Sequence, residues 1–141
     1  FKQRKTPWGI SRYQLVRMPR GTLGNTLGRF LRDNNFNLIP RLERHDAYHV
    51  LTGYGTDVKD EIALQFFCFG NGKRSKYLFL VMIFGAFLNP EHWQYFRSSY
   101  LKGKRTGQFY HLDFKECLIK DLKTFRRELM IDTTNPDQSN Y

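Results

Sequence analysis

Residues 43–70 read ERHDAYHVLTGYGTDVKDEIALQFFCFG, and this stretch decides the fold. Its central glycines predict the end of one helix, over 41–52. Asp57 or Thr56 then predicts the N-cap of a second helix, over 57–69. The second helix is apolar on almost every side, so it is expected to lie in a core or to face an apolar surface that is not protein.

Four side chains of this stretch are expected to converge on one divalent metal ion: His45, Asp46, His49 and Glu61. On a helix, residues four apart lie on one face, so the two histidines sit one turn above each other. Asp46 lies beside them, and Glu61 would arrive from the second helix. Imidazoles favour Zn²⁺, Fe²⁺ or Co²⁺, whereas carboxylates keep Mg²⁺ and Mn²⁺ open; Zn²⁺ is the favoured ion. A buried hydrogen-bond network or a solvated face is the alternative.

Two better-known histidine motifs do not fit. Metalloproteases place Glu directly after the first His, as the base that activates water, but here that position is Asp46. The HD phosphohydrolases need a further His upstream of the HD pair, and no histidine precedes His45 in this sequence. A different kind of metal centre is therefore expected.

The rest of the sequence predicts an all-α, single-domain bundle of about six helices, with the metal site between two adjacent ones. Asn89-Pro90-Glu91 is a strong helix start, with Asn89 as the N-cap and Pro90 in the first turn. The four other predicted helices lie over 22–34, 76–88, 90–101 and 114–130. The helical metal-binding domain is expected over 19–131, after a basic, partly ordered segment (1–18) and before a polar, disordered tail (132–141).

The net charge of +10 predicts a polyanionic partner, such as an anionic membrane, a phosphorylated lipid or a nucleic acid. Two basic clusters are the candidates for membrane or phosphate contact: Lys73, Arg74 and Lys76, and Lys102, Lys104 and Arg105. A solvated loop is the alternative for the first. The longest apolar run, Tyr77 to Leu88, is too short for the roughly 20 residues that span a bilayer, so no integral membrane protein is expected.

The cysteine count and the N-terminal residues bear on location. Only two cysteines are present, without CxxC spacing, so the sequence indicates a reducing, intracellular setting. The basic N-terminal residues have no apolar region after them, and no secretory signal is expected.

Several segments resemble the ubiquinone (coenzyme Q) biosynthesis protein 4 family over roughly residues 17–131. The matching segments are Pro19-Arg-Gly-Thr-Leu-Gly24, Phe30-Leu31, HDAYHVLTG (45–53), Glu61-Ile-Ala-Leu64, Tyr100-Leu-Lys-Gly-Lys-Arg105 and Phe125-Arg-Arg-Glu-Leu129. The HDxxH-x11-E motif is specific to that family in this setting, and its four positions are filled here. Most members carry further helices before the segment that corresponds to Pro19–Gly24, so a short member of the family is expected.

The resemblance implies a metal at the four motif positions and work on a polyprenylated aromatic ring at a membrane surface. Family members have been assigned oxidative decarboxylation at C1 of the ring, which replaces the carboxyl by a hydroxyl. The substrate would be a prenylated 4-hydroxybenzoate-type acid, with Asp46 or Glu61 as a ligand, an orienting group or a proton shuttle. The expected location is peripheral: the cytoplasmic face of a bacterial inner membrane, or the matrix side of the mitochondrial inner membrane.

The alternative function is a non-catalytic, prenyl-lipid-binding scaffold that organises the other quinone-biosynthesis enzymes, as a possible homodimer. In either case a prenyl-lipid pocket is expected at six residues, Gly24, Leu27, Gly28, Leu64, Phe67 and Leu80, with a fully packed core as the competing outcome. A nucleic-acid partner is not expected, because the sequence has no stacking or groove-reading motif.

Overall fold

The computed structural model describes residues 6–40 and 42–133. These residues form eight α-helices and no β-strand, which confirms the all-α fold. The helices are α1 (Arg12–Val16), α2 (Leu23–Asp33), α3 (Glu43–Thr52), α4 (Val58–Gly70), α5 (Lys76–Leu88), α6 (Trp93–Arg105), α7 (Phe114–Cys117) and α8 (Leu122–Glu128). The expectations for residues 1–5 and for the tail from 134 onward fall outside the described residues.

The chain divides into two compact units. The first contains the described residues up to Leu51 together with Leu112–Arg126, and so holds α1, α2, most of α3, α7 and most of α8. The second contains Thr52–His111 and the described residues from Arg127 onward, and so holds α4, α5 and α6.

In the first unit, α1 packs closely on α2 at Gly28. A Cβ at this position would lie 2.6 Å from the backbone nitrogen of Val16 and 2.8 Å from the carbonyl carbon of Leu15. No side chain fits in that space, so the glycine permits the contact between the two backbones. The sequence did not predict α1, which Ser11 and Gln14 begin with a capping box.

The predicted helix over 114–130 is wrong in one respect: it is two helices, with a break between α7 and α8. Within the break, the carbonyl oxygens of Leu118 and Lys120 accept hydrogen bonds from Gly24 N (2.8 Å) and Leu23 N (2.9 Å). These donors belong to the first turn of α2, which has no partners for them inside the helix. The break therefore supplies hydrogen-bond acceptors for the first backbone N–H groups of α2.

In the second unit, α4 and α6 cross at two glycines. A Cβ on Gly103 would clash with the carbonyl oxygen of Phe67, and one on Gly70 would clash with that of Tyr100. Buried Asn71 fixes the end of α6: its Nδ2 donates to the carbonyl oxygens of Gly103 (3.2 Å), Thr106 (3.0 Å) and Gly107 (3.1 Å).

This close crossing explains a second correction. The predicted helix over 90–101 begins with a 3₁₀ helix, Pro90–His92, and α6 then continues to Arg105, past the predicted end at residue 101. Asn89 lies at the N-cap position of this 3₁₀ helix, as predicted, but its side chain makes no capping hydrogen bond there. Its amide donates instead to the carbonyl oxygen of Gly85 at the end of α5 (2.9 Å).

Candidate metal centre

Helix α3, which carries both histidines, is held at its end by Arg126. Nε of Arg126 donates to the carbonyl oxygen of Leu51 (3.0 Å), and Nη2 donates to that of Val50 (2.6 Å). The last carbonyl groups of a helix lack partners inside it, and a cation at that end is favourable. Burial lowers the pKa of Arg126, but a guanidinium remains charged. Arg126 therefore fixes the end of the histidine helix.

A second face of α3 is fixed by aromatic packing. The ring of Tyr48 meets that of Phe114 edge to face, with centroids 5.1 Å apart. The Arg44 guanidinium lies over the Phe114 ring at 5.5 Å, and Nη2 donates to the carbonyl oxygen of Leu112 (2.8 Å). These contacts set the rotation of α3 within the first unit.

The two histidines direct the same ring atom at each other. Nε2 of His45 lies 3.1 Å from Nε2 of His49. The His49 ring is buried and stacks on Phe30 of α2, with centroids 5.9 Å apart and 16° between the planes. His49 is thus held by packing, whereas His45 is half-buried.

Glu61 completes a group of three possible ligands with these histidines. Each of His45, His49 and Glu61 offers one ligand atom, and these atoms all lie within 4.8 Å of one another. Zn–N bonds of about 2.0–2.1 Å put two nitrogens of one tetrahedral ion about 3.3–3.4 Å apart. The observed 3.1 Å is close to this separation, and two imidazoles with one carboxylate are a usual donor set for catalytic zinc. The residues present therefore fit a divalent metal ion.

The first turn of α4 holds Glu61 and its neighbour Asp60. Of the two predicted N-cap residues, Asp57 is the one observed, and its carboxylate accepts a hydrogen bond from the backbone nitrogen of Asp60 (2.9 Å). Asp60 is buried and accepts from the hydroxyl of Tyr95 (2.6 Å). Burial raises the pKa of Asp60, and the hydrogen bond from Tyr95 opposes that rise. The group of three ligands does not include Asp46, whose place as a fourth ligand stays a prediction.

Comparison with known proteins identifies the family. The model of the family described as coenzyme Q (ubiquinone) biosynthesis protein Coq4 matches residues 38–135. The chain belongs to the Coq4 family. Its matched segment contains the two histidines and Glu61, and membership supports a role in coenzyme Q biosynthesis. Among curated proteins, no sequence matches this chain.

A solved structure shares the fold. The crystal structure of a candidate ubiquinone biosynthesis protein from Nostoc punctiforme superposes with a TM-score of 0.76. The sequences are 23% identical, and the match covers 94% of this chain and 73% of the Nostoc chain. At 23% identity, this likeness shows that the two chains share a fold.

Five of the six residues predicted to line a prenyl-lipid pocket lie inside helix packing: Gly24, Leu27, Gly28, Leu64 and Phe67. The space over Gly24 is occupied by Met18, and that over Gly28 by the backbone of α1. Leu80 differs from the rest, since it is 55% exposed on α5. Packing alone accounts for the two glycines, and a pocket at these six residues stays a prediction.

The six basic residues predicted for membrane or phosphate contact have varied surroundings. Arg74 lies over the Phe69 ring at 4.1 Å and donates to the Phe69 carbonyl oxygen (2.8 Å), which closes the end of α4. Lys102 is largely buried near Asp132, and burial lowers its pKa. Lys104 lies over the Tyr100 ring, and Arg105 donates to the carbonyl oxygen of Leu101. Of the remaining two, Lys73 is half-buried and Lys76 is exposed.

Sequence reasoning missed an apolar cavity in the second unit. It has a volume of about 300 Å³ and is lined by Phe66, Phe69, Met82, Trp93, Arg97 and Tyr100. Ligand pockets begin at about this size and combine apolar walls with a few polar groups. The lining residues come from α4, α5 and α6, so no single helix pattern could have indicated them.

Proposed function

We propose that this protein is a divalent-metal-dependent enzyme of coenzyme Q biosynthesis that carries out oxidative decarboxylation at C1 of a polyprenylated 4-hydroxybenzoate-type acid. The group formed by His45, His49 and Glu61 is the observation that carries the proposal. A buried, stacked imidazole beside a second imidazole and a carboxylate is an arrangement suited to a bound ion. Membership of the Coq4 family supports the pathway.

The three residues would hold the ion, with Zn²⁺ favoured and Co²⁺, Mn²⁺, Fe²⁺ or Mg²⁺ open. A bound divalent ion supplies a Lewis acid, which stabilises the negative charge left on the ring when the carboxylate departs. His45 and His49 would bind such an ion through ring nitrogens, and the Glu61 carboxylate would offset part of its charge. Three protein ligands leave coordination positions open for a substrate.

The overall reaction needs an oxidant, for which we propose dioxygen with two reducing equivalents. The bond between C1 and the carboxyl carbon breaks, and that carbon leaves as CO₂. A new bond joins C1 to one oxygen atom, and the other oxygen takes two electrons and two protons to become water. Asp46 or Glu61 is the proposed site for holding the transferred proton.

The prenyl tail would lie against apolar side chains. The cavity beside Phe66 and Phe69 is our first candidate, because these two residues follow Glu61 along α4. The six predicted pocket residues are the second candidate, since five of them lie inside helix packing. None of the helices in the described residues is long and apolar enough to cross a membrane. We place the protein at the periphery of an anionic membrane, where lipid substrates and the other quinone-biosynthesis enzymes would meet it.

The test is turnover of a prenylated 4-hydroxybenzoate analogue by metal-loaded protein, with CO₂ release and ¹⁸O incorporation from ¹⁸O₂ as readouts. We expect His49→Ala and Glu61→Gln to abolish product while the protein stays folded. His111→Ala, at an exposed histidine outside the group, is the matched control and should retain activity. If metal-loaded protein binds the analogue but never releases CO₂, the enzyme proposal fails and the scaffold function takes its place.

A further inference from the structure

The exposed face of α5 is the most unusual surface of the second unit. This helix, KYLFLVMIFGAFL, contains one charged residue, Lys76, yet only Leu78 and Gly85 along it are buried. Its exposed apolar side chains are Tyr77, Phe79, Leu80, Ile83, Phe84, Phe87 and Leu88, which we call the α5 apolar face. Soluble proteins rarely expose large contiguous apolar patches unless the patch binds something.

The narrow buried side of α5 shows why the rest is exposed. Gly85 packs on Ile62 of α4, where a Cβ would lie 2.8 Å from Cγ1 of Ile62. Phe79 meets Phe69 of α4 edge to face at 5.5 Å. One seam of the helix therefore meets the core, while Phe87 is 79% exposed and Phe84 59% exposed. Helix α5 therefore has many more apolar side chains than its packing against the rest of the unit buries.

We propose that the α5 apolar face inserts into the surface of an anionic lipid bilayer. This inference rests on the proposed function, in which the protein meets a lipid substrate at a membrane. Charge complementarity selects this occupant. Lys73, Arg74 and Lys76 border the start of α5, and Arg97 is exposed beside the cavity next to it. Anionic headgroups attract such clusters, and an amphipathic helix lies in the interface with its apolar side in the acyl region.

The aromatic side chains at the two ends of the face fit the same orientation. Tyr77 is 69% exposed at the start of α5, and Trp93 is 48% exposed just after the helix ends. Tyr and Trp favour the level of the headgroups. Pairing of the face with a second copy of the chain is less favourable, because each copy carries a net charge of +10 and would bring its own basic border against the other.

Trp93 provides a local probe for this docking. The chain has two tryptophans, so Trp8→Phe leaves Trp93 as the only one. We expect its fluorescence to shift to the blue, and to be quenched by brominated acyl chains, in vesicles of phosphatidylglycerol and phosphatidylcholine. Added salt should weaken binding, and pure phosphatidylcholine should bind less.

Variants of exposed residues test the face without disturbing the core. Phe84→Glu and Phe87→Glu should each lower vesicle affinity by about tenfold or more. Ile119→Glu, at a residue 71% exposed elsewhere, is the matched control and should bind like the parent. Metal content and melting temperature should be unchanged in all three, so a failure here is separate from a failure of the metal-dependent function.

Three results would overturn the proposal. The first is equal vesicle binding by Phe87→Glu and the parent protein, and the second is no binding by the parent to anionic vesicles. The third combines two measurements. In sedimentation the parent is a stable dimer and the glutamate variants are monomers, while all of them bind vesicles equally. That last outcome would assign the α5 apolar face to a second copy of the chain.

Discussion

Nε2 of His45 lies 3.1 Å from Nε2 of His49, one helical turn further along α3. Of the two rings, that of His49 is buried and stacked on Phe30, so its direction is fixed before any ion binds. A ligand whose orientation is already set loses little conformational freedom on binding. His49 is therefore a preorganised ligand of the candidate metal centre.

Removing the side-chain donors of Arg126 should destabilise the histidine helix. Arg126→Met keeps the length of the side chain but leaves the carbonyl groups of Val50 and Leu51 without these partners. We expect the free energy of unfolding to fall by about 2 kcal/mol, measured by urea denaturation, together with weaker metal binding. Arg127→Met, at an exposed neighbour, is the control. Equal stability of the two variants would mean that Arg126 does not hold α3.

A methyl group at Gly103 should disturb the crossing of α4 and α6. The added Cβ meets the backbone of Phe67, which cannot move aside as a flexible side chain would. We expect Gly103→Ala to lower the free energy of unfolding by about 1–3 kcal/mol. Gly107→Ala is the matched control, because a Cβ there meets nothing nearer than 3.5 Å. If both variants melt alike, the close crossing is not what the glycine supports.

Much of the fold follows from local patterns. The side chain of Asp57 caps the start of α4, and asparagines end two helices, Asn34 after α2 and Asn71 after α4. Gly72 follows with a positive φ of 107°, which glycine adopts readily. The break after α7 did not follow, because it depends on hydrogen bonds to α2, nearly 100 positions away. A pattern within one segment carries no information about such distant donors.

For a similar reason, only part of the candidate site could be predicted from the sequence. The spacing of His45 and His49 fixes a shared helix face, and the family motif pointed to Glu61. The support from Phe30 and Arg126 could not be read from the sequence, since it comes from other helices. The exposed apolar face of α5 was not predicted, because an all-apolar composition does not distinguish a buried helix from an exposed one.

The thiol of Cys68 should be unreactive in the folded protein. Burial raises its pKa from 9.0 to about 11, an effect that nearby Lys73 partly opposes. In a Cys117→Ala background, a thiol reagent at about pH 8 should label Cys68 only after denaturant is added, because the thiolate is the reactive form. Rapid labelling of the native protein would contradict this environment.

The same pKa predicts a loss of stability in alkali. The folded state holds the thiol proton more tightly than the unfolded state, so stability from this group is complete below about pH 9 and is lost as the pH rises through about 11. Tyr54, whose pKa burial also raises, acts in the same direction. Cys68→Ala should therefore show a shallower alkaline decline in melting temperature than the parent, whereas parallel curves would contradict the assignment.

The central claim is a metal ion held by His45, His49 and Glu61, and its most direct test is elemental analysis combined with Zn²⁺ titration of purified protein. We expect about one divalent ion per chain. We expect His45→Ala, His49→Ala and Glu61→Ala each to lose most of it while retaining the helical circular dichroism signal, and His111→Ala to keep it. Protein that carries no metal after purification without chelator, and takes up no Zn²⁺, Co²⁺ or Mn²⁺, would contradict the account.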